Sequence, residues 1–527
     1  MARADLLKGY RPIEYKVGES AAALGRTFDF AFSHEVLYLL PDLAAHAADN
    51  ELPPPNIVVI LADDLGWNDV GYHGSEINTP NIDRLAAEGL ELDRFYAQPT
   101  CSPTRAALMT GKSPKTLGIS RAIAKNQKMG LGLNEQILPQ HLNSLGYRSL
   151  MVGKWHLGNY TPAYAPPARG FAHFYGFLSG GIGYWDHNHG GGHDWQRNGE
   201  TVREEGYATH LLGDEAVQLI EQHQSQQPLF LYVAMAAPHM PNEAPQSSID
   251  QYAQIDNPNR RIHAAMVTEL DHQIGRIVDA LEKQQMLDNT LILFASDNGG
   301  LIGDSAEAAS AIRKIGKFGT LLFDRPMPIS VLEEFAKFAF DGGSDNGLLR
   351  GTKTSTLEGG VRVPALLWWP EHVSPGTHSE FISASDILPT LLEAVGGPHS
   401  IPEDIDGASQ WRSLVSGEQT PKPDYLVTGF DNTALFQPPW KLITGDRLEL
   451  YDVFADPTES RNLATLYPER VIKMQRIIDQ WPAGEERGVE IREIIFDMDT
   501  FGGPEDRIPW AEAAIKNAEK EALLDDH

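Results

Sequence analysis

Four short apolar segments limit the folds available to this chain more than any other feature. They are residues 57–62, 149–152, 229–237 and 291–295. Each is rich in aliphatic side chains and shows no alternation with polar residues, which is typical of a strand buried on both faces of a sheet. Helical patterns lie between them, over residues 81–89, 209–223 and 263–284. This order predicts an α/β fold in which a large, mostly parallel mixed sheet is sandwiched by helices.

Charged or metal-binding side chains follow all four segments. They are Asp63 and Asp64 after the first, Lys154 and His156 after the second, His239 after the third, and Asp297 and Asn298 after the fourth. Because ligands bind beyond the carboxyl ends of parallel strands, we expect these side chains to share one site. An Asp or Asn after a strand also caps the next helix. Capping accounts for one such pair more easily than for all four.

The only cysteine, Cys101, lies at the predicted start of a helix. Pro103 suits the first helical turn, and Gly111 is a typical residue to end the helix. Free N–H groups at a helix start favour anions, and Arg105 lies one turn further along the same face. We therefore expect an acidified, reactive thiol. The alternative is an inert buried cysteine.

The composition excludes several classes of protein. One cysteine in 527 residues leaves no disulfide framework and no cysteine-rich metal site. The 43 Lys and Arg against 72 Asp and Glu give a net charge of −29. Nucleic acid is therefore an unsuitable partner, because its phosphates require clustered cations. The longest apolar run, residues 229–237, is far shorter than the ~20 residues of a membrane helix, so no membrane partner is expected. Residues 1–19 lack the apolar core of a secretory signal, and a cytoplasmic location is expected.

The remaining segments predict three parts of the chain. Residues 1–54 form an N-terminal extension, which is the basis for expecting a homo-oligomer. Residues 55–420 form the catalytic α/β domain, with an insertion over residues 301–345 that is placed to cover the site. Residues 421–527 form a C-terminal subdomain, in which short strands and a helix predict a smaller antiparallel sheet with a packed helix. Its last segment, from Trp510 to His527, is expected to be an acidic surface helix.

The motifs resemble those of one enzyme family. Residues 101–105 read Cys-Ser-Pro-Thr-Arg and match the signature C-x-P-x-R of the type I, formylglycine-dependent sulfatases, which belong to the alkaline-phosphatase-like superfamily. Further family motifs follow the family order at residues 60–66, 153–158, 238–239, 296–300, 349–353 and 358–364. Residues 176–187 and 194–199 are similar to the arylsulfatase B branch. Several ordered motifs are far more specific than any one alone.

The resemblance implies a cofactor set and a metal site. In this family a maturation enzyme oxidises the signature cysteine, here Cys101, to Cα-formylglycine. The hydrated aldehyde, a geminal diol, is the nucleophile. The implied metal is Ca²⁺, held by residue 101 together with Asp63, Asp64, Asp297 and Asn298, whose oxygen donors suit a hard cation.

The resemblance also implies the roles of the remaining site residues. Lys154 and Lys353 are expected to hold sulfate oxygens, and Arg105 to orient the formylglycine. His239, with Lys353, is expected to protonate the departing alkoxide. His156 is expected to act as the base that releases sulfate.

The implied function is hydrolysis of an aryl or carbohydrate sulfate ester to an alcohol and inorganic sulfate. A loop with His187, His189 and His193 is either a platform for a sugar or aryl ring or a solvated loop. One alternative function is a phosphonate or phosphate ester hydrolase that uses the same formylglycine. A catalytically silent binding protein is the other, and it would require the loss of a key group.

Overall fold

The strand that begins the fold shows why the sheet lies at the centre of the protein. Strand β1 (Asn56–Ala62) is buried along almost its whole length. Val58 and Ile60 belong to one apolar core, whereas Val59 and Leu61 belong to another on the opposite face. A strand with apolar side chains on both faces is stable only between two covering layers. The computed structural model describes residues 54–124, 127–189, 192–223, 226–302, 342–370, 372–430, 432–487 and 508–525.

The main sheet has ten strands and is mixed, as predicted. In sheet order the strands are β13 (Gly376–His378), β2 (Leu90–Leu92), β12 (Ala365–Trp368), β11 (Thr290–Ser296), β1 (Asn56–Ala62), β10 (Leu229–Ala234), β4 (Arg148–Lys154), β5 (His173–Phe177), β8 (Gln196–Arg197) and β9 (Glu200–Thr201). Strands β11, β1, β10, β4 and β5 form a parallel centre, and antiparallel strands extend both edges. The four predicted strands are β1, β4, β10 and β11, and they are neighbours.

Helices cover both faces of this sheet. The helices in chain order are α1 (Pro80–Glu88), α2 (Cys101–Thr110), α3 (Leu138–Ser144), α4 (Ala208–Glu221), α5 (Gln246–Ile249), α6 (Pro258–Lys283), α7 (Glu358–Val361), α8 (Ile387–Gly396), α9 (Trp411–Ser416), α10 (Pro468–Gln480) and α11 (Trp510–Asp525). The first core includes residues of the long helix α6 and of α4, and the second includes residues of α2, α3 and α8. None of the helices in the described part of the chain has the length and apolarity that a bilayer crossing requires.

The C-terminal part contains a separate four-stranded antiparallel sheet, as predicted. Its strands follow one another in the order β15 (Tyr425–Thr428), β16 (Thr433–Gln437), β17 (Trp440–Thr444) and β18 (Glu449–Asp452). Helix α10 packs on one face of this sheet through Val471, Met474 and Ile478. The other face packs against Tyr96, Leu357 and Val361 of the preceding part of the chain. The C-terminal sheet is therefore joined to the preceding part of the chain by an apolar contact close to the signature segments.

Two small strand pairs and the last helix complete the described structure. The pairs are β3 (Phe95–Tyr96) with β14 (Ile382–Ser383), and β6 (Asn188–His189) with β7 (Gly192–His193). Helix α11 lies on the surface along most of its length, as expected. Its first turns are packed, with Trp510, Ala511 and Ala514 buried.

The proposed domain boundaries at residues 54 and 420 stay predictions. The N-terminal extension up to residue 53, and residues 303–341 of the predicted insertion, lie outside the described residues.

Candidate active site

The carboxyl ends of the central strands bring the predicted residues together. Ala62 at the end of β1 is paired with Ser296 at the end of β11, so the acidic residues that follow these strands lie side by side. The Asp64 N–H donates to Asp297 Oδ1 at 3.3 Å. Strand β4 ends at Lys154, and His239 follows β10 after a short turn. The four segments therefore converge on one site.

Cys101 begins helix α2 inside the protein. Every residue of this helix is buried, and the Cys101 Sγ lies 3.4 Å from Asp63 Oδ1. Gly111 ends the helix with a left-handed φ of 68°, and its N–H donates to Ala107 O. The expectation of an acidified thiol is wrong for this arrangement. Burial and the Asp297 carboxylate raise the pKa of the Cys101 thiol, outweighing Lys154 and Lys353.

Two lysines form ion pairs with the two carboxylates that follow β1. Lys154 Nζ lies 2.6 Å from Asp63 Oδ2, and both side chains are fully buried. Lys353 Nζ lies 2.7 Å from Asp64 Oδ2. Burial raises the pKa of Asp64, but Lys353, His239 and Lys154 together outweigh that effect and hold the pKa well below its usual range. Burial lowers the pKa of Lys353, but Asp64, Cys101 and Asp63 together outweigh that effect and raise it.

Arg105 holds the third carboxylate. Its Nε and Nη2 donate to Asp297 Oδ2 at 3.0 and 2.8 Å, and its Nη1 donates to Lys154 O at 2.9 Å. Such a two-pronged contact fixes both position and orientation. Arg105 was expected to orient residue 101, whereas its hydrogen bonds here fix Asp297 and the end of β4. The three cations and three carboxylates of the site balance one another, so a divalent cation would leave a positive charge for an anion.

The donor groups fit a hard divalent cation. Ligand atoms of Asp63, Asp64, Cys101 and His239 lie within 4.8 Å of one another. Asn298 Nδ2 donates to Asp64 Oδ1 at 2.6 Å, whereas Asn298 Oδ1 is buried without a hydrogen-bond partner in the described structure. A buried, unpaired amide oxygen among carboxylates is the arrangement that an oxygen-seeking cation would satisfy. Sequence reasoning did not include His239 in this group.

The two histidines present different nitrogens to the site. His156 Nε2 lies 2.9 Å from Ile123 O, and its Nδ1 is buried with no partner among the described groups. Burial, Lys154 and Arg105 lower the pKa of His156 well below 6.5. His239 Nδ1 lies 2.6 Å from Met240 O, which places its Nε2 toward Asp64 Oδ2 at 3.6 Å. Burial and Lys353 lower the pKa of His239 to about 3.

The segment that carries Lys353 is held by a residue that sequence reasoning missed. Asn346 is fully buried. Its Oδ1 accepts from Gly300 N at 3.0 Å, and its Nδ2 donates to Gly351 O at 3.1 Å. The Lys353 N–H in turn donates to Gly300 O at 3.1 Å. The Asp-Asn-Gly turn at residues 345–347 was the available signal, because Asn commonly bonds nearby backbone groups.

The histidine-rich loop divides into structural and site-facing members. His187 is buried and stacks on Trp195 with ring centroids 4.5 Å apart. His193 is also buried, with Nε2 2.7 Å from Val202 O. His189 is different, because a methyl group placed on Gly181 would lie 3.5 Å from its Cε1 and 3.1 Å from His239 Cε1. His189 therefore lies beside the site.

Among the described groups, His239 and Lys353 mark the open side of the site. The side chains of Asp63, Lys154 and Arg105 have no exposed surface, whereas 18% of His239 and 14% of Lys353 is exposed. We therefore expect an ester to enter past His239 and Lys353.

This fold and this site define a hydrolase of sulfuric esters. The family model described as Sulfatase matches residues 55–397, and the chain belongs to the sulfatase family. It is 32% identical to mouse arylsulfatase J over 491 residues, which cover 81% of this chain and 75% of that protein. It is 34% identical to human N-acetylgalactosamine-6-sulfatase over 399 residues, covering 71% and 69% of the two chains.

A solved structure agrees with this assignment. The crystal structure of Ps i-CgsB has a TM-score of 0.72 and 30% identity, covering 85% of this chain and 100% of that one. The same protein was solved in complex with k-i-k-neocarrahexaose, with a TM-score of 0.71, 29% identity, and coverage of 86% of this chain and 98% of that one. The sulfatase relatives favour sulfate esters over the phosphonate or phosphate esters of the alternative function.

Proposed function

We propose that this sulfatase hydrolyses sulfate esters of saccharides with Ca²⁺ and a Cα-formylglycine formed from Cys101. The supporting observation is the position of Cys101, at a helix start and 3.4 Å from Asp63, among three carboxylates and three cations. A thiol with a raised pKa is a weak nucleophile. The unmodified cysteine is therefore poorly suited to attack an ester, and this supports its conversion.

The two groups supply complementary chemistry. When present, formylglycine provides a hydrated aldehyde hydroxyl as the nucleophile, and Ca²⁺ neutralises negative charge on the reacting groups. Asp63, Asp64, Asp297 and Asn298 would hold the cation together with residue 101. Arg105 keeps Asp297 in place for this purpose through its two hydrogen bonds.

Lys154 and Lys353 bind the sulfate group. Each is paired with one carboxylate at hydrogen-bond distance. A divalent cation on Asp63 and Asp64 would take over much of that pairing, and the ammonium groups would then be available to sulfate oxygens. The position of Lys353 depends on the Asn346 contacts described above.

The two histidines move protons at opposite ends of the reaction. When the S–O bond breaks, its electron pair goes to the alcohol oxygen, and His239 Nε2 delivers the proton that this oxygen requires. The ring is neutral at rest because its pKa is low, and an anionic ester beside it favours the protonated form. His156 accepts a proton at Nδ1, the nitrogen that has no other described partner, in the later step that releases sulfate.

The alcohol part of the ester lies on the open side, where a saccharide fits better than a plain aryl ring. His189 lies beside His239 and offers a hydrogen-bonding group to a sugar hydroxyl. One relative is named for a sulfated amino sugar, and one structural neighbour was solved with a neocarrahexaose. These relatives support a saccharide ester as the substrate class.

A maturation enzyme is the expected partner, and it acts before folding is complete. Only 3% of Cys101 is exposed, and helix α2 is buried along its length. A second protein therefore reaches this thiol only while the segment is unfolded. Homo-oligomer formation and a cytoplasmic location stay predictions.

Mass spectrometry of the tryptic peptide over residues 95–105 tests this function. Protein from its native host is expected to show loss of hydrogen sulfide with gain of one oxygen atom at Cys101. The same protein should release sulfate from a sugar sulfate in the presence of Ca²⁺, and Cys101→Ala should not. An unmodified thiol in active protein contradicts the proposed nucleophile. A higher kcat/KM for a matched aryl phosphonate contradicts the proposed substrate class.

A further inference from the structure

We propose that the turn over residues 178–181, fixed by the buried carboxylate of Asp194, positions the rings of both catalytic histidines. Asp194 and the two glycines of the turn are then positioning residues, since they act through His156 and His239. This inference rests on the proposed function. It adds to that function a second layer of residues that sets the proton-transfer geometry.

Asp194 holds the turn through two backbone donors. It is 1% exposed and accepts from Leu178 N at 3.1 Å and from Ser179 N at 2.8 Å. The Ser179 hydroxyl closes the turn by donating to Gly181 O at 2.6 Å. A buried carboxylate is stable when several N–H groups donate to it. The backbone of the turn is therefore tightly specified.

The backbones of Gly180 and Gly181 pack closely against the rings of His156 and His239, respectively. A methyl group on Gly180 would lie 2.6 Å from His156 Cε1 and 2.7 Å from its Nε2. A methyl group on Gly181 would lie 3.1 Å from His239 Cε1 and 3.2 Å from its Nδ1. A side chain at Gly180 must displace the His156 ring, and one at Gly181 requires the His239 ring to shift by about a few tenths of an ångström. Glycine permits this close approach at both positions.

A small displacement matters because proton transfer depends strongly on distance. His239 is held at Nδ1 by Met240 O, and Gly181 packs against the Nδ1–Cε1 edge of its ring, so the position of its Nε2 is restricted. A shift of about 1 Å in a reacting group costs about a hundredfold in rate. On the same scale, a shift of about three to five tenths of an ångström is expected to cost about fourfold to tenfold.

Gly181→Ala is the direct test of the His239 position. An alkyl or sugar sulfate leaves as a strongly basic alkoxide and requires the proton, whereas 4-nitrophenyl sulfate leaves as a weak base. We expect kcat/KM to fall about tenfold or more for the sugar ester and about twofold for the nitrophenyl ester. His239→Ala provides the reference. It should also lower kcat/KM more for the sugar ester than for the nitrophenyl ester, and both the loss and the difference should be larger.

Gly180→Ala tests the position of the His156 ring, and the informative kinetic parameter is kcat rather than kcat/KM. His156 acts after the alcohol has left, in a step that is common to both esters. We expect kcat to fall to one shared value for both esters, with kcat/KM largely retained, so that KM falls with kcat. A purely structural defect does not produce opposite patterns at two adjacent glycines.

Asp194→Asn tests whether the Asp194 carboxylate holds the turn, and it is compared with a matched control variant. The amide puts an N–H group against the backbone donors of the turn, which should loosen it. Asp271 is also a buried carboxylate that accepts two backbone N–H groups, from Asn81 at 3.0 Å and Ile82 at 2.8 Å, but it lies on helix α6. Both variants should lower the melting temperature. Only Asp194→Asn should lower kcat/KM more for the sugar ester than for the nitrophenyl ester.

The possible results separate the inference from the function it rests on. Equal losses with both esters in Gly181→Ala and Asp194→Asn, from an active wild-type enzyme, overturn the inference alone. The same result for Asp271→Asn as for Asp194→Asn also overturns it. A formylglycine-containing, Ca²⁺-loaded wild type that turns over neither ester overturns the proposed function and this inference together.

Discussion

At the scale of single residues, Asn298 gives the sharpest test of the cation site. Its Oδ1 is the buried amide oxygen without a described partner, and its Nδ2 holds Asp64. Ca²⁺ at a hundredfold excess over its Kd should stabilise the wild type by about 3 kcal/mol. Asn298→Ala should lose most of this stabilisation, because the variant lacks one oxygen ligand.

Differential scanning calorimetry with Ca²⁺ and with chelator measures this effect. Asp271→Asn removes a remote buried carboxylate and should keep the full Ca²⁺-dependent rise in melting temperature. An equal rise in Asn298→Ala and the wild type would show that the amide is not a ligand.

A second prediction at the scale of single residues concerns His189 and its contribution to binding the sugar. One hydrogen bond to a hydroxyl is worth about 1 kcal/mol. His189→Ala should therefore raise KM for a sugar sulfate by about five- to tenfold, with little change in kcat. The KM for 4-nitrophenyl sulfate should stay within about twofold, because that ester has no hydroxyl to bond.

Steady-state kinetics with the two esters measures this difference. His399→Ala replaces an exposed histidine of the turn Pro398–Ser400 and should change neither KM. If His189→Ala raises both KM values equally, His189 does not contact the sugar.

At the scale of elements, the strands were predictable and the contacts between distant segments were not. The segments that became β1, β4, β10 and β11 are apolar over their whole length, and a doubly buried strand must have that pattern. Their polar ends therefore located the site. No comparable pattern in the sequence predicted that Arg105 would contact Asp297, because the two residues are 192 positions apart.

The junction between the C-terminal sheet and helix α7 is a further element that sequence patterns did not reveal. Lys441 on β17 lies 3.0 Å from Glu358 on α7 and 2.7 Å from Glu459, and all three are buried. Tyr96 on β3 donates to Glu358 at 2.8 Å. Within its own segment, none of these charged residues forms a pattern that predicts burial or an ion pair. The cluster exists only once the C-terminal sheet has packed beside the signature segments.

This junction predicts that stability depends on pH. Burial and Glu358 raise the pKa of Glu459 from 4.5 to about 7, and Lys441 offsets only part of that rise. The folded state thus binds this proton more tightly than the unfolded state. The associated stability is fully present below about pH 4.5 and is lost as the pH rises through about 7.

Glu459→Gln is the variant that tests this dependence. It should be more stable than the wild type at pH 8 by about 2 kcal/mol, and the difference should shrink toward pH 5. Urea unfolding at several pH values measures the two slopes, and Glu403→Gln, which changes an exposed carboxylate, is the control. A Glu459→Gln variant that is less stable than the wild type at pH 8 contradicts the raised pKa.

At the scale of the whole molecule, the net charge of −29 opposes the approach of an anionic substrate. The positive charges of the site attract an anion only over a short distance, because Lys154 and Arg105 are fully buried and paired with carboxylates. At an ionic strength of about 0.01 M the Debye length is about 30 Å, and at about 0.15 M it is about 8 Å. Added salt should therefore screen the repulsive surface before it weakens the buried contacts of the site.

The kcat/KM for a polysulfated oligosaccharide should accordingly rise between these two ionic strengths, by about threefold to tenfold. A monosulfated sugar carries less charge and should show a smaller rise, which makes it the matched control. The measurement uses sodium chloride at a constant, saturating Ca²⁺ concentration, so that occupancy of the cation site does not change. A fall in kcat/KM for the polysulfated substrate would mean that a local positive field at the open side of the site, where Lys353 is partly exposed, outweighs the charge of the whole protein.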